Sequence, residues 1–574
     1  MKPSPLPRPE TPGANDSRMR AMLSRHSALI LGLFLAAVVF AVYYTCLNFQ
    51  FILDDHRFAG DLRIQSSGYI WDYFTNFVWA QFTGGPPSFY RPIFLCWLRM
   101  NYILCESSAW GWHLLSILKH LVAAGLLGWL TWKLLADRAA ALIAAALFAL
   151  HPAQVESVAW VTVPDPLMAI AVFAALLCYL KYRNSIEVQP AATKKRRRSD
   201  QKPNQPAVGW LLAASAFGFI ALLAKETAIV FPLIILLMEL FAVPAEPAAV
   251  ANKSARPSSR VGVALRNTVP FIAAGVIYLL LRIDALGVAL GARTQNLPLK
   301  TLVLSWPATL FFYVKAMVWP VRSYAFADPT LVERFSGRAV LVPAFLVAAL
   351  AAAVAGVFVW AWRNASREVS TEKAVSVRRA LIVGALLLVL PMVPALNLNA
   401  LNPGDFLHGR YTYLPLAGLM LLVATSWHLT GRLRLPLAAV AAIIAITLTI
   451  LTIPQEAQWR DDLSLFTTAH QLAPANAPVA RNLADARVRQ ALLALESEGR
   501  CGEAVPVFEE VTRQYPEDWF AWAALGTCLV QLDKLPAAEE AMHRAADLSH
   551  DPSVIEQWHE LRAHMGLPDA AVRP

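Results

Sequence analysis

The sequence predicts an all-α protein in which a polytopic bundle of membrane helices is followed by a polar, helical repeat tail. Three observations carry that expectation. Of the 574 residues, 57% are hydrophobic and only 16% are charged, whereas soluble domains carry about 25% charged residues. Eleven apolar runs of roughly helix-crossing length occur at 28–47 and at about 112–134, 139–152, 165–182, 208–224, 227–243, 267–283, 340–362, 379–396, 411–429 and 435–453. About 20 residues of helix cross the hydrocarbon of a bilayer. From about residue 454 the composition turns polar, while the apolar positions keep a helical spacing.

Taken in order, residues 1–25 are Pro-rich and polar and are expected to form a disordered cytoplasmic tail. Arg18, Arg20 and Arg25 precede the first run and place the N-terminus inside. That run is long, and no small-residue cleavage site closes it, so it reads as an uncleaved signal anchor. The membrane domain is expected over 26–453. Its first outer loop, 54–111, is dense in aromatics such as Trp71, Tyr73, Phe74, Trp79 and Tyr90, which suits short helices in the headgroup layer. Alternation from an inside N-terminus puts the basic segments 181–202, 253–266, 363–379 and 431–434 inside, in keeping with the positive-inside rule. The stretch 302–320 would break that pattern if it crossed. It is therefore read as re-entrant or interfacial, broken by Pro307 and Pro320. The run 139–152 is short, ends at His151-Pro152, and reads as partly re-entrant. An odd number of crossings then puts the tail outside, in a multi-pass inner (plasma) membrane protein.

The tail, 454–574, contains two similar openings, Asn476-Ala-Pro-Val-Ala-Arg-Asn-Leu-Ala484 and Asp518-Trp-Phe-Ala-Trp-Ala-Ala-Leu-Gly526. Small residues at such positions let antiparallel helices pack closely, as in tetratricopeptide repeats with a period of about 34. The longer spacing here implies an insertion near 496–502; plain helical hairpins are the alternative reading. Six cysteines are few. Cys501 and Cys528 both fall in the tail, and the sequence leaves open whether they pair.

The net charge of +10 resides in short clusters such as Lys194-Lys-Arg-Arg-Arg198, between apolar runs. No nucleic-acid recognition motif accompanies it, so a nucleic-acid partner is not expected. No metal-ligand spacing occurs, and neither a cofactor nor a divalent metal is expected; His113 and His120 share a helical face but lack a third ligand in register.

The chemistry concentrates on the predicted outer side. Asp54 and Asp55 sit where the first run meets water, and an acid at a membrane boundary is a functional candidate. Near them in the predicted topology are Arg91, Glu106, His151, Glu156, Asp165, Lys225, Glu226, Arg293, Asp405, His408 and Arg410. Arginines beside carboxylates suit an anion held at the membrane surface, because guanidinium binds phosphate through a bidentate fork.

Six motifs occur in order: Leu53-Asp-Asp-His56; Ser88-Phe-Tyr-Arg-Pro-Ile93 with Leu98-Arg-Met-Asn-Tyr102; Trp112-His-Leu-Leu-Ser-Ile-Leu-Lys-His120; His151-Pro-Ala-Gln-Val-Glu-Ser-Val-Ala-Trp160; Ala224-Lys-Glu-Thr-Ala228; and Gly409-Arg-Tyr-Thr-Tyr-Leu-Pro415. Together with the tail they resemble the transmembrane and tetratricopeptide repeat-containing O-mannosyltransferases and their bacterial relatives, glycosyltransferases of the GT-C fold. The resemblance covers nearly the whole chain. It implies a GT-C-like domain whose first outer loop carries the catalytic acid. It also implies a polyprenyl-phosphate sugar as donor, a hexose such as mannose, a protein or glycan hydroxyl as acceptor, and inversion at the sugar. On that reading Asp54 or Asp55 is the base, and the resemblance does not separate them. Arg91 and Arg410 match motif positions and are the donor-phosphate candidates, with Lys225 and Arg293 as further ones. His151, Glu156, Asp165 and Glu226 line the site; for His151 the alternative is a helix cap beside Pro152. The acceptor is expected to dock on the repeat tail. Bacterial relatives often read His-Pro-x-His where this chain has His151-Pro-Ala-Gln154, and carry a charged turn where it has Val163-Pro-Asp-Pro166. A lipid-linked saccharide transporter and a non-catalytic membrane scaffold recruiting partners through the tail are the competing readings.

Overall fold

The computed structural model describes residues 14–80, 89–187, 206–242, 260–288, 296–321, 331–367, 371–401, 407–498, 500–549 and 551–568. Arg293, Asp405 and the 194–198 cluster lie outside them. No strand occurs among the described residues. The helices are α1 (Ala14–Tyr43), α2 (Asp54–Gly60), α3 (Leu62–Gln65), α4 (Asp72–Thr75), α5 (Pro92–Cys105), α6 (Ala109–Leu135), α7 (Arg138–Ala149), α8 (Val155–Ala159), α9 (Asp165–Glu187), α10 (Pro206–Ala224), α11 (Phe231–Ala242), α12 (Arg260–Leu286), α13 (Leu299–Val318), α14 (Val342–Ala365), α15 (Thr371–Val389), α16 (Tyr413–His428) and α17 (Arg434–Glu456). The tail adds α18 (Asp462–Leu472), α19 (Ala477–Glu498), α20 (Cys501–Gln514), α21 (Trp519–Gln531), α22 (Leu535–Ser549) and α23 (Pro552–His564).

Among the described residues, eight helices are long and apolar enough to cross a membrane, or nine if α7 and the bent 152–159 segment count as one. Four of the eleven expected runs fall short of crossing length. Residues 208–224 and 411–429 form the short helices α10 and α16, 227–243 reduces to α11 behind a 3₁₀ turn, and 139–152 is bent by 58° at His151-Pro152. α1 starts at Ala14, inside the segment expected to lack structure. The prolines stop at Pro12, and the Arg, Met, Ala and Leu that follow favour helix.

Side-chain bonds fix which helix ends lie together. The end of α17 meets the end of α1, where Thr45 Oγ1 donates to Glu456 Oε2 at 2.8 Å. At the opposite end, Ser376 at the start of α15 bonds the Leu134 carbonyl, and His428 at the end of α16 meets Asp137 at 2.7 Å. The tail therefore leaves the bundle at the same end as the acidic loop. α13 is long enough to cross, and it runs unbroken through Pro307. Both its ends are nonetheless tied to the loop end. Leu297 N donates to Asn399 Oδ1 at 2.8 Å and Trp306 Nε1 to Leu396 O at 3.0 Å, while Met317 O meets His151 Nε2 at 3.1 Å. α13 thus lies across that end. The interfacial placement expected for 302–320 agrees with these contacts; the break at Pro307 does not occur.

The loop after α1 has a small core of its own, in which Phe58, Ile64, Tyr73, Phe94, Leu98 and Trp112 are buried. Several aromatics expected at the headgroup layer pack there instead; Trp71 remains 81% exposed. Arg63, 1% exposed, organises this core by bonding Asp61 at 3.1 Å and the Val78 carbonyl at 2.5 Å. Burying a guanidinium costs much unless its donors are met in this way. Elsewhere α15 and α16 touch backbone to backbone: a Cβ on Gly418 would lie 2.5 Å from Gly384 O and 2.8 Å from the Leu387 carbonyl carbon. Small residues permit such approach between membrane helices.

In the tail, both openings become capped helix starts. Asn476 Oδ1 accepts from Val479 N at 3.3 Å, and Asp518 Oδ1 from Phe520 N and Ala521 N at 3.1 Å each. Gly526 packs against Met542, whose Cγ a Cβ would meet at 2.6 Å, so α21 and α22 form a close hairpin. The extra length between the openings is taken up by α19, which runs 22 residues.

Cys501 and Cys528 are buried thiols with sulfurs 2.6 Å apart. In a compartment that supplies a disulfide oxidant, the pair is expected to close. Alkylation of denatured protein taken directly from membranes would then label four of the six cysteines, six minus the bonded pair. Labelling of all six would place the tail in a reducing compartment.

Asp485 of α19 faces Asp518. Burial raises its carboxyl, and the hydrogen bond and charge of Asp518 raise it further, to about 7. A raised acid stabilises the fold below its unfolded value, and that contribution is lost as pH rises through the folded one. Melting of the tail is therefore expected to fall between about pH 4 and pH 7. Asp485→Asn should flatten the dependence; an unchanged slope in near-UV circular dichroism melts would refute the assignment.

Candidate active site

The site is built where the loop after α1 meets the turn between α8 and α9. Asp54 and Asp55 open α2 directly after Leu53, whose backbone has φ 50° and ψ −124°. A bulky residue at positive φ is an outlier, and such strain clusters at functional turns. The two acids diverge in environment. Asp55 is fully buried; its Oδ1 accepts from Thr162 N at 3.2 Å and from Thr162 Oγ1 at 2.7 Å, and its Oδ2 from Ile52 N at 3.3 Å. Burial raises its carboxyl to about 8, outweighing these bonds, which act to lower it. Asp54 remains partly exposed.

Three residues beyond Thr162, Asp165 opens α9. Both its oxygens accept from Lys225 Nζ, at 2.5 and 2.6 Å, with both side chains at most 4% exposed. Lys119 of α6 closes the same turn by donating to Val163 O at 3.0 Å. Next to Lys225, Glu226 holds Arg91 in a bidentate pair, Nε to Oε2 at 2.8 Å and Nη2 to Oε1 at 2.6 Å. Burial raises Glu226, but the Arg91 charge outweighs it and holds the carboxyl down at about 2.

A further cation is Arg410, in the 3₁₀ turn Gly409–Thr412. Its guanidinium lies 4.4 Å above the Trp160 ring and 3.5 Å from Glu156 Oε1, and the Arg410 backbone N–H donates to Glu156 Oε2 at 3.3 Å. Glu156 also accepts from His408 Nδ1 at 2.9 Å. A Cβ on Gly409 would lie 3.2 Å from Glu156 Oε2, a tight approach to which the carboxylate would have to yield by a few tenths of an ångström. Tyr411 joins the groups: its ring centroid lies 4.7 Å from Lys225 Nζ and 5.6 Å from the Arg410 guanidinium.

Most of the residues singled out from sequence therefore converge on one network running from Asp55 through Thr162 and Asp165 to Lys225, Arg91, Glu226, Arg410 and Glu156. Lys225 is fully engaged with Asp165 and buried, which suits a staple better than a phosphate ligand. Arg91 and Arg410 keep 13% and 16% of their side chains exposed. His151 caps the following turn through Ala153 N at 3.2 Å and meets Met317 O, the alternative raised for it. His113 and His120 are packing residues, His120 bonding Tyr413 OH at 2.8 Å and Ala149 O at 3.0 Å. No group of three potential metal ligands occurs among the described residues. Sequence reasoning missed Thr162, Tyr411 and Lys119. Tyr411 and Lys119 fall inside two of the six motifs, and Lys119 also stands out as a charge inside an apolar run.

Fold and site together define a polytopic, all-α membrane protein with a buried acid–cation network at one end. No family model matches the chain. It is similar to the protein O-mannosyl-transferase Tmtc2 of Drosophila melanogaster, 33% identical over 216 residues, 37% of this chain and 22% of that one. Over most of its length it is similar to TMTC3 of Mus musculus, 24% identical over 541 residues, 91% of this chain and 55% of the relative. The chain thus spans from about a fifth to just over half the length of these curated relatives. Among solved structures it is similar to the apo oligosaccharyltransferase of Archaeoglobus fulgidus, with 13% identity, 75% of this chain and 56% of that one covered, and a TM-score of 0.41. It is also similar to ArnT of Cupriavidus metallidurans bound to undecaprenyl phosphate, with 15% identity, 89% and 79% covered, and a TM-score of 0.36.

Proposed function

We propose that the chain is a membrane glycosyltransferase of GT-C type. It moves a hexose such as mannose from a polyprenyl-phosphate donor to a hydroxyl of a protein or glycan acceptor on the extracytoplasmic side. The observation that carries this reading is the juxtaposition, at one end of the bundle, of a partly exposed acid on a strained turn with two partly exposed arginines. Asp54 is the base: it takes the acceptor proton as the acceptor oxygen attacks the anomeric carbon. The bond from that carbon to the phosphate oxygen breaks, and polyprenyl phosphate leaves with the electron pair. A displacement from the opposite face inverts the sugar. The leaving group is a stable anion, so it calls for cations rather than a general acid. Arg91 and Arg410 supply them by sharing their guanidinium donors between phosphate and the carboxylates that hold them. Asp55, pinned to Thr162, and the Asp165–Lys225 pair hold the frame. A scaffold would leave this arrangement without a use.

The test uses radiolabelled mannosyl polyprenyl phosphate added to membranes with and without the protein. Label is expected to pass to endogenous protein or glycan only where the protein is present, and Arg410→Ala should raise the donor KM. Equal labelling of both membranes would sink the reading.

A further inference from the structure

The turn that presents Asp54 and Asp55 is held by the first residue of α18, the tail helix whose Leu465, Phe466 and Ala469 pack into the core of the bundle. Asp462 Oδ1 accepts from Leu53 N at 2.9 Å, across 409 residues of sequence, and Asp462 Oδ2 meets His56 Nε2 at 3.2 Å. Its neighbour Asp461 performs the capping of α18, accepting from Ser464 N at 2.7 Å, which leaves the Asp462 side chain to reach across. The same seam is closed by Gln50 N donating to Arg460 O at 2.9 Å. We propose that Asp462 is a positioning residue, through which the repeat tail holds the strained turn that aims the catalytic acid.

The physical case lies in Leu53. A positive φ at a bulky residue persists only where the surroundings over-determine it. From within, Asp55 N bonds Ile52 O at 2.9 Å and Ile52 N bonds Asp55 Oδ2 at 3.3 Å. These bonds leave the intervening Leu53 amide to Asp462. The carboxylate also stands between turn and repeats. On its far side Arg489 Nε of α19 lies 3.9 Å away, and the Arg489 guanidinium lies 5.9 Å from the Phe520 ring of α21. Arg489 is nearly half-exposed and that contact is weak by itself; the bond to the Leu53 amide carries the proposal. Its catalytic consequence rests on Asp54 acting as proposed above, whereas its structural consequence does not.

The test uses the full-length, detergent-solubilised protein. Amide hydrogen exchange over 50–58 reads the clamp without reference to activity. Loss of a charge-assisted hydrogen bond in Asp462→Ala is expected to speed exchange there by about tenfold or more, with α9 and α10 unchanged. The kcat for sugar transfer should fall by a similar factor with the donor KM unchanged. Leu53→Gly in the same variant should restore much of it, because glycine adopts the turn unaided. Asp462→Asn keeps an oxygen for the Leu53 amide and should protect 50–58 as the wild type does. Unchanged exchange in Asp462→Ala overturns the proposal, as does a wild-type kcat or a failure of Leu53→Gly to restore it. If Asp462→Ala unfolds globally, Asp462→Asn decides, and faster exchange over 50–58 in that variant overturns the proposal. A wild-type protein that transfers no sugar would fail the functional reading alone, and the exchange experiment would still judge the clamp.

Discussion

Asp54→Asn is expected to lower sugar transfer at saturating donor by about 10²- to 10⁴-fold, the usual worth of a positioned general base. The donor KM should change little, since a proton acceptor acts in the transition state rather than in binding. The neighbouring Asp55→Asn should behave differently, although the two acids are adjacent in sequence. Asp55 is buried with both oxygens occupied, and its carboxyl is raised to about 8. Burial pushes it toward the neutral form and both oxygens are taken by Ile52 and Thr162, so the amide chiefly disturbs those hydrogen bonds rather than removing a base. The pH dependence separates the two further. Because Asp55 has a folded value above its unfolded one, the stability it contributes is full below about pH 4 and is lost as pH rises through about 8. Asp55→Asn should flatten that loss in thermal melts of the solubilised protein. If instead Asp55→Asn abolishes transfer at an unchanged melting temperature while Asp54→Asn is active, the assignment of base and anchor is reversed.

The second large effect concerns the pair that holds the site together. Lys225→Met strands the Asp165 carboxylate in a nearly water-free setting, and breaking one partner of a buried pair costs about 3–5 kcal/mol. A fall of that size should appear as a lowered melting temperature and as poor recovery from membranes. Asp165→Leu alone should be as damaging, because it strands the ammonium. The double variant Asp165→Leu/Lys225→Met removes both charges and should recover much of the stability, since a well-packed apolar pair often replaces a buried ion pair at little cost. Transfer activity need not return with it, because the turn from Trp160 to Asp165 links the acidic helix to the arginines. A double variant no more stable than the singles would mean that the pair acts through packing rather than charge.

Much of this architecture was legible in the sequence because burial in lipid leaves a coarse signature of long apolar runs. The short helices α10, α11 and α16 were not separable from full spans, since hydropathy reports polarity and not where a helix starts. Pro307 misled in a different way. A proline in a helix removes one bond but need not end it when neighbouring segments pin both ends, as those of α13 are pinned. At the site, Asp54, Asp55, Arg91, Glu156, Asp165, Lys225, Glu226 and Arg410 stood out as charges beside apolar runs. Their division into anchors and exposed groups did not, because it depends on partners such as Thr162 and Tyr411 that are ordinary residue types. The tail's hold on the acidic turn was illegible for a simpler reason: Asp462 lies 409 residues from Leu53, and no local pattern reports so distant a partner.

The close approach of α15 and α16 bears on how the protein tolerates its surroundings. Bilayers differ in thickness by a few ångströms, and bundles usually absorb the mismatch by tilting or sliding their helices. With Gly418 seated against the backbone of Gly384 and Leu387, α16 cannot slip along α15 without first lifting away from it. Arg410 precedes α16 by three residues and therefore inherits a fixed height relative to the rest of the bundle. The contact works as a mechanical stop: membrane thickness can change around the molecule while the height of Arg410 relative to α15 stays constant. Host membranes of different lipid composition should accordingly alter how much of this protein inserts far more than how fast each inserted copy works.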